Sequence, residues 1–183
     1  MATHERTRRA FRRFVTAAAI SVSLVLMPAL ATPAQAHGSH DKIGGSIKRS
    51  QVIKRARNWV RRDIQYSQSG TARDSDRHHR YRRDCSGFIS MAWHLKRTGM
   101  SAPWTGTLDN YSTRKRKSRL KRGDILLDQG NHAVIFHKWA NRAHTRFWLF
   151  EQSNSSSDMN HRRARLSSFK GFTARKFKHI RAG

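Results

Sequence analysis

The chain has 183 residues, 38 of them Lys or Arg and 11 Asp or Glu, for a formal charge of +27 and an isoelectric point of about 11.9. One cysteine excludes an internal disulfide and a cysteine-rich zinc site, and the length holds one domain. The charge excludes neutral surroundings and points to a polyanion: nucleic acid, anionic lipid or an acidic cell-wall polymer.

Residues 1–36 read as an export signal. Five arginines and Glu5 precede an apolar stretch from Phe14 to Ala31, broken at Pro28 and closed by Ala34-Gln35-Ala36. A basic start, a short apolar middle and a small-x-small end mark a cleavable secretory signal, with cleavage expected after Ala36. Thr7-Arg8-Arg9-Ala10-Phe11 also resembles a twin-arginine motif, so the export route stays open. Removing the five arginines and Glu5, a net +4, leaves +23 on 147 residues. Outside the cell the available polyanions are wall polymers, lipid headgroups and free DNA. A secreted, wall-associated monomer is expected, with no stable membrane insertion once the signal is removed.

The segment 37–49 is polar and glycine-containing and is expected to be flexible; the remaining domain runs over 50–183. Helical spacing of Val52, Ile53, Ala56, Val60 and Ile64 predicts a helix over 50–64, with Ser50 as its cap. Residues 66–83 are rich in Ser, Arg, Asp and His and read as a long loop. Phe88, Ile89, Ala92, Trp93 and Leu95 predict a second helix over 85–98, stopped by Gly99. Residues 100–120 read as irregular. Within them and just beyond, Arg114, Lys115, Arg116, Lys117, Arg119, Lys121 and Arg122 form a basic run: either a solvated loop or a docking patch for an anionic polymer. Few aromatics interleave it, so stacking on single-stranded nucleic acid is not indicated, and no specific nucleic acid is expected. Strands are predicted at 124–127, 132–139, 146–151 and 172–180. Helices first and strands after predict an α+β fold, an antiparallel sheet with helices packed on it.

Cys85 sits in Asp84-Cys85-Ser86-Gly87-Phe88, between a polar loop and an apolar helix. That places the thiol at a helix N-terminus, where unpaired N–H groups and the helix dipole favour a thiolate. Ser86 and Gly87 are small, so substrate is expected to approach the backbone there and an oxyanion to find its N–H groups. A cysteine nucleophile needs a base. His132 opens a strand after Gly130-Asn131 and is the leading candidate, with His78 and His79 as fallback; His137 should face the opposite way. The base needs an orienting group. Glu151, the single glutamate after residue 36, ends the next strand, and Gln152 is the alternative on the other face. Metal readings are weak: there is no His-Glu-x-x-His, and Asp74-Ser75-Asp76 starts like a calcium loop that Arg77-His78 does not continue. No metal or organic cofactor is expected.

The blocks Asp84-Cys85-Ser86-Gly87-Phe88, Arg122-Gly123-Asp124-Ile125 and His132-Ala133-Val134-Ile135-Phe136 resemble, in order and distance, the NlpC-type cell-wall cysteine peptidases. The resemblance spans about 52–153. It implies a papain-like core, a Cys-bearing helix packed on an antiparallel sheet that bears the histidine, and hydrolysis of amide bonds in peptidoglycan stem peptides. Carried over, Cys85 is the nucleophile, His132 the base, and Tyr66, in Gln65-Tyr66-Ser67, a binding or oxyanion residue. Two features depart from the commonest pattern. The third polar residue is not a second histidine, and Glu151 is more similar to the acidic residue of CHAP amidases. Ser67-Gln68-Ser69-Gly70 replaces a glycine pair after the tyrosine. The implied partners are peptidoglycan and anionic wall polymers. A non-catalytic cationic wall-binding module on the same fold is the alternative.

Overall fold

The computed structural model describes residues 42–157 and 159–183; the predicted export signal, its cleavage point and the first residues of the segment expected to be flexible lie outside these. Ile47–Lys48 (β1), also expected in that segment, is an ordered strand. It pairs in parallel with Ile180–Arg181, because Ile47 buries its side chain and its N–H donates to the His179 carbonyl at 3.0 Å.

The first helix, α1, spans Arg49–Arg61 and is shorter than its apolar spacing predicts. Lys48, not Ser50, is the N-cap, and its N–H donates to Gln51 Oε1 at 3.1 Å. Asp63 takes a left-handed φ of 45°, and the Asp63 and Ile64 N–H groups turn back to the carbonyls of Val60 and Trp59. This 5→2, 6→1 pair closes the helix before Ile64. Val52, Ile53, Ala56 and Trp59 form its buried stripe.

Residues 66–83 are not a loop. Ser67–Arg73 (β2) and Arg80–Arg83 (β3) form an antiparallel hairpin. Its one buried apolar pair is Ala72 opposite Tyr81, so polar side chains elsewhere hide the alternation by which strands are recognised. The second helix, α2, spans Cys85–Ala92 only. His94 supplies the left-handed residue (φ 56°) that closes it, well before Gly99, again with a 5→2, 6→1 pair to Met91 and Ser90. All eight residues of α2 are buried.

The stretch 100–120 is largely irregular, with 3₁₀ turns at Leu108–Tyr111 and Lys117–Arg119 and a short strand, Ser112–Arg114 (β4). Then come Ile125–Asp128 (β5), His132–Trp139 (β6), Arg146–Gln152 (β7), Met159–Arg165 (β8), Thr173–Phe177 (β9) and Ile180–Arg181 (β10). Strand β8 is absent from the prediction. As an edge strand with three arginines it needs no apolar alternation, and charges there protect the edge. A six-stranded sheet in the order β4-β9-β5-β6-β7-β8 is antiparallel throughout. The fold is α+β.

Period-2 alternation sends Ile125, Leu127, Ala133, Ile135 and Phe150 to the face covered by α1 and α2. Leu126, Val134, Phe136, Phe147 and Leu149 go to the other face, under Leu120, Phe169 and Phe172. A sheet buried on both faces holds its strands in fixed register, which fixes whatever side chains project from the strand ends. Among the described residues no helix is long and apolar enough to cross a membrane.

Candidate active site

Asp84 caps α2. Its Oδ1 accepts the Gly87 N–H at 2.6 Å and the Ser86 hydroxyl at 3.1 Å. Arg82 holds the other oxygen: Nε donates to Asp84 Oδ2 at 2.7 Å. The same guanidinium donates to Ser86 Oγ at 2.9 Å and to the carbonyls of Met100, Ala102 and Pro103 at 2.7–3.1 Å. The Ser86 hydroxyl and the Gly87 N–H are thus spent on the cap, and of the backbone N–H groups expected to meet an oxyanion the Gly87 one is already engaged. Gly87 also serves packing: a Cβ there would lie 2.1 Å from the Arg82 carbonyl oxygen. Gly87→Ala is therefore expected to destabilise the fold by about 3 kcal/mol, the upper part of the overpacking range, read as a fall in the chemical-denaturation midpoint.

The α2 N-terminus reaches the start of β6. Cys85 Sγ lies 4.0 Å from the carbonyl oxygen of Asn131, the residue before His132, and Cys85 is near enough to the His132 ring to raise its pKa. His132 Nε2 is 3.2 Å from Glu151 Oε2, which leaves Nδ1 for the thiol. Strand register explains the meeting. Ile135 pairs with Phe150, so Glu151 sits level with Val134 and diagonal to His132. On its other side Glu151 pairs with Asn160, and Arg162, the diagonal neighbour on β8, donates from Nε to Glu151 Oε1 at 2.5 Å. Glu151 is buried and receives a donor from each flanking strand.

Electrostatics follow from this line. Burial lowers the His132 pKa, but the hydrogen bonds and charges of Cys85 and Glu151 outweigh it and push the pKa up to about 9. Burial raises the Glu151 pKa, and the bonds and charges of His132 and Arg162 more than reverse that, holding it below the usual glutamate range. At neutral pH the site is thus an imidazolium between a carboxylate and a sulfur. Tyr66, just before β2, is half-buried, and its hydroxyl accepts from Gln68 Nε2 at 3.1 Å. Burial raises its pKa, the Gln68 bond opposes this, and the charges of Cys85 and Asp84 raise it further.

The other expected residues divide. Gln152 is not an orienter for His132: strand alternation turns it to the helix face, where Nε2 donates to the Ile64 carbonyl at 2.7 Å. His79 is not a base for Cys85 either, since its Nδ1 lies 3.5 Å from Asp74. His137 faces α1, as alternation requires, with Nε2 3.2 Å from Arg57. Of the basic run, Arg114, Arg116, Arg119, Lys121 and Arg122 are exposed. Lys115 and Lys117 serve the fold: Lys115 pairs with buried Asp124, and Lys117 donates to the carbonyls of Phe169 and Lys170. Sequence reasoning missed Arg162, which nothing distinguishes among so many arginines until β8 is placed beside β7, and it does not show that Arg82 binds Asp84 and Ser86.

No family model matches the chain, and no curated protein matches it. Among solved structures it is similar to a hypothetical invasion protein of Mycobacterium tuberculosis, at 18% identity and a TM-score of 0.42 over 75% of this chain and 71% of that one.

Proposed function

We propose that the chain is an exported cysteine peptidase or amidase of the NlpC type, with a papain-like arrangement of helix and sheet, that hydrolyses amide bonds in peptidoglycan stem peptides. The observation that carries this reading is Cys85 at a capped helix N-terminus, against the start of the strand where His132 is 3.2 Å from buried Glu151. Export rests on the signal pattern of residues 1–36.

In the proposed reaction the Cys85 thiolate attacks the amide carbonyl carbon and forms the C–S bond. The first-turn N–H groups of Cys85 and Ser86, with the Tyr66 hydroxyl, receive the oxyanion; the Gly87 N–H is already taken by Asp84. Protonated His132 gives its proton to the leaving amine as the C–N bond breaks. It then takes a proton from water, which attacks the thioester and releases the acid and the Cys85 sulfur. Glu151, held by Arg162, keeps Nε2 of His132 protonated and stabilises the imidazolium. The five exposed cations at 114–122 would hold the enzyme on an anionic wall, an attraction that salt screens.

Mass spectrometry of products released from purified peptidoglycan tests the reading. New free amine and carboxyl ends at one stem-peptide bond are expected, and intact stem peptides after exhaustive incubation would sink it. The pH profile supplies a second test. His132 acts as an acid, so kcat/KM should fall as pH rises through about 9. Glu151→Gln removes a carboxylate that raises the His132 pKa, so this limb should move to lower pH. A limb that stays in place would separate Glu151 from the chemistry.

A further inference from the structure

A second cluster lies beneath the hairpin, at the far end of α2 from the thiol. Asp74 follows β2, His79 precedes β3, and His94 is the left-handed residue that closes α2. One ligand-type atom from each lies within 4.8 Å of the others. His79 Nδ1 is 3.5 Å and His94 Nε2 4.0 Å from the same oxygen, Asp74 Oδ2. Tetrahedral zinc bonded to N and O at about 2.0–2.1 Å requires ligand atoms roughly 3.3–3.5 Å apart, so the His79–Asp74 separation already fits and His94 must move inward to complete the geometry.

The polar bookkeeping around His94 is incomplete without a further partner. His94 is 6% exposed, and neither of its ring nitrogens has a hydrogen-bond partner among the described residues; His79 Nδ1 is buried and in the same condition. Buried polar atoms nearly always find a partner, and leaving one without costs about 1–3 kcal/mol. Asp74 is fully buried and held in place. Arg55 NH2 donates to Oδ2 at 3.2 Å and the His79 backbone N–H to Oδ1 at 3.3 Å. A carboxylate oxygen has two lone pairs, so Oδ2 can serve both Arg55 and a cation. Arg55 also donates to Asp76 Oδ2 at 3.0 Å. The hydrogen-bonded set Asp74, Asp76 and Arg55 carries one net formal negative charge, which suits a cation beside two imidazoles.

We propose that Asp74, His79 and His94 form a binding site for a divalent transition-metal cation with the ligand preferences of zinc. The two histidines supply nitrogen and Asp74 one oxygen, with Arg55 as the outer group that orients the carboxylate. A bound ion joins the turn of the β2–β3 hairpin, whose base carries Tyr66, to the C-terminal turn of the helix that carries Cys85. Its role is to fix these two elements against each other.

The test uses the chain from residue 37 onward with Cys85→Ala, so that zinc on the thiol is not counted. After metal removal, Zn²⁺ is titrated by calorimetry and Co²⁺ by its visible absorption. One equivalent should bind with a rise in Tm, and Co²⁺ should give a tetrahedral spectrum. His94→Asn preserves a residue tolerant of left-handed φ, and His79→Gln alters a side chain that is 34% exposed. Each should weaken binding by more than the roughly 10–100-fold that loss of an outer partner costs. Both should melt as cooperatively as the parent without metal. Absence of binding to the parent, or equal affinity in both variants, overturns the proposal.

Discussion

Cys85→Ala is expected to lower the rate of stem-peptide hydrolysis by about a millionfold, to the level that substrate binding and oxyanion donors alone support. The effect is large because the reaction proposed for this site passes through a bond to sulfur, and no other thiol exists in the chain. The fold should barely notice. The hydrogen bond from Sγ to the Asn131 carbonyl is long, at 4.0 Å, and Ala is a strong helix former at the first position of α2. Stability should change by about 1 kcal/mol. His132→Ala should cost a similar factor in rate. The double variant should be no worse than either single one, because nucleophile and base act as a unit. Turbidity loss of purified walls and thermal melting, measured together, separate chemistry from folding. If Cys85→Ala clears walls at the parent rate, the thiol is not the nucleophile; if the parent binds walls without clearing them, the cationic binding module becomes the better reading.

How much of this site was legible depended on the kind of interaction that makes each part. The apolar stripe of α1 and the alternation in β6 and β7 are periodic, so helix and strand types could be read directly. His132 and Glu151 were legible because they occupy the ends of adjacent periodic strands, where register follows from packing on both faces. The hairpin at 67–83 was not legible, since its residues bury one apolar pair and otherwise keep polar groups on both sides. Helix ends were also misplaced. Asp63 and His94 close their helices through left-handed backbone that side-chain periodicity does not encode. A small residue has two uses, close approach by a ligand and close packing, and the sequence does not show that Gly87 serves packing. Here the absent Gly87 side chain makes room for the Arg82 backbone. The cluster of Asp74, His79 and His94 was hidden for a related reason: His94 joins the other two only because α2 stops where it does.

Arg82 carries the largest expected effect on stability. It is 8% exposed and makes five donor contacts, one to Asp84, one to Ser86 and three to backbone carbonyls of the 100–103 segment. Replacing it with Met keeps most of the volume and removes every donor. Asp84 would then remain buried with its Oδ2 unpaired, and three carbonyls would lose a partner. Removing one member of a buried ion pair costs about 3–5 kcal/mol, so Arg82→Met should fall in that range by chemical denaturation. Arg82→Lys should recover little, because a single ammonium cannot span the planar set of acceptors that the guanidinium serves. Arg82→Met with Asp84→Asn should recover part of the loss, because the unpaired charge is gone while an amide oxygen still accepts the Gly87 N–H. Function should suffer beyond stability. Asp84 caps the helix whose first residue is Cys85, so a loosened cap shifts the thiol relative to His132, and kcat should drop even where the variant is fully folded. A cost below about 1 kcal/mol, the range of exposed ion pairs, would mean that Arg82 is not the strut between the hairpin, the helix cap and the 100–103 segment that its bonds describe.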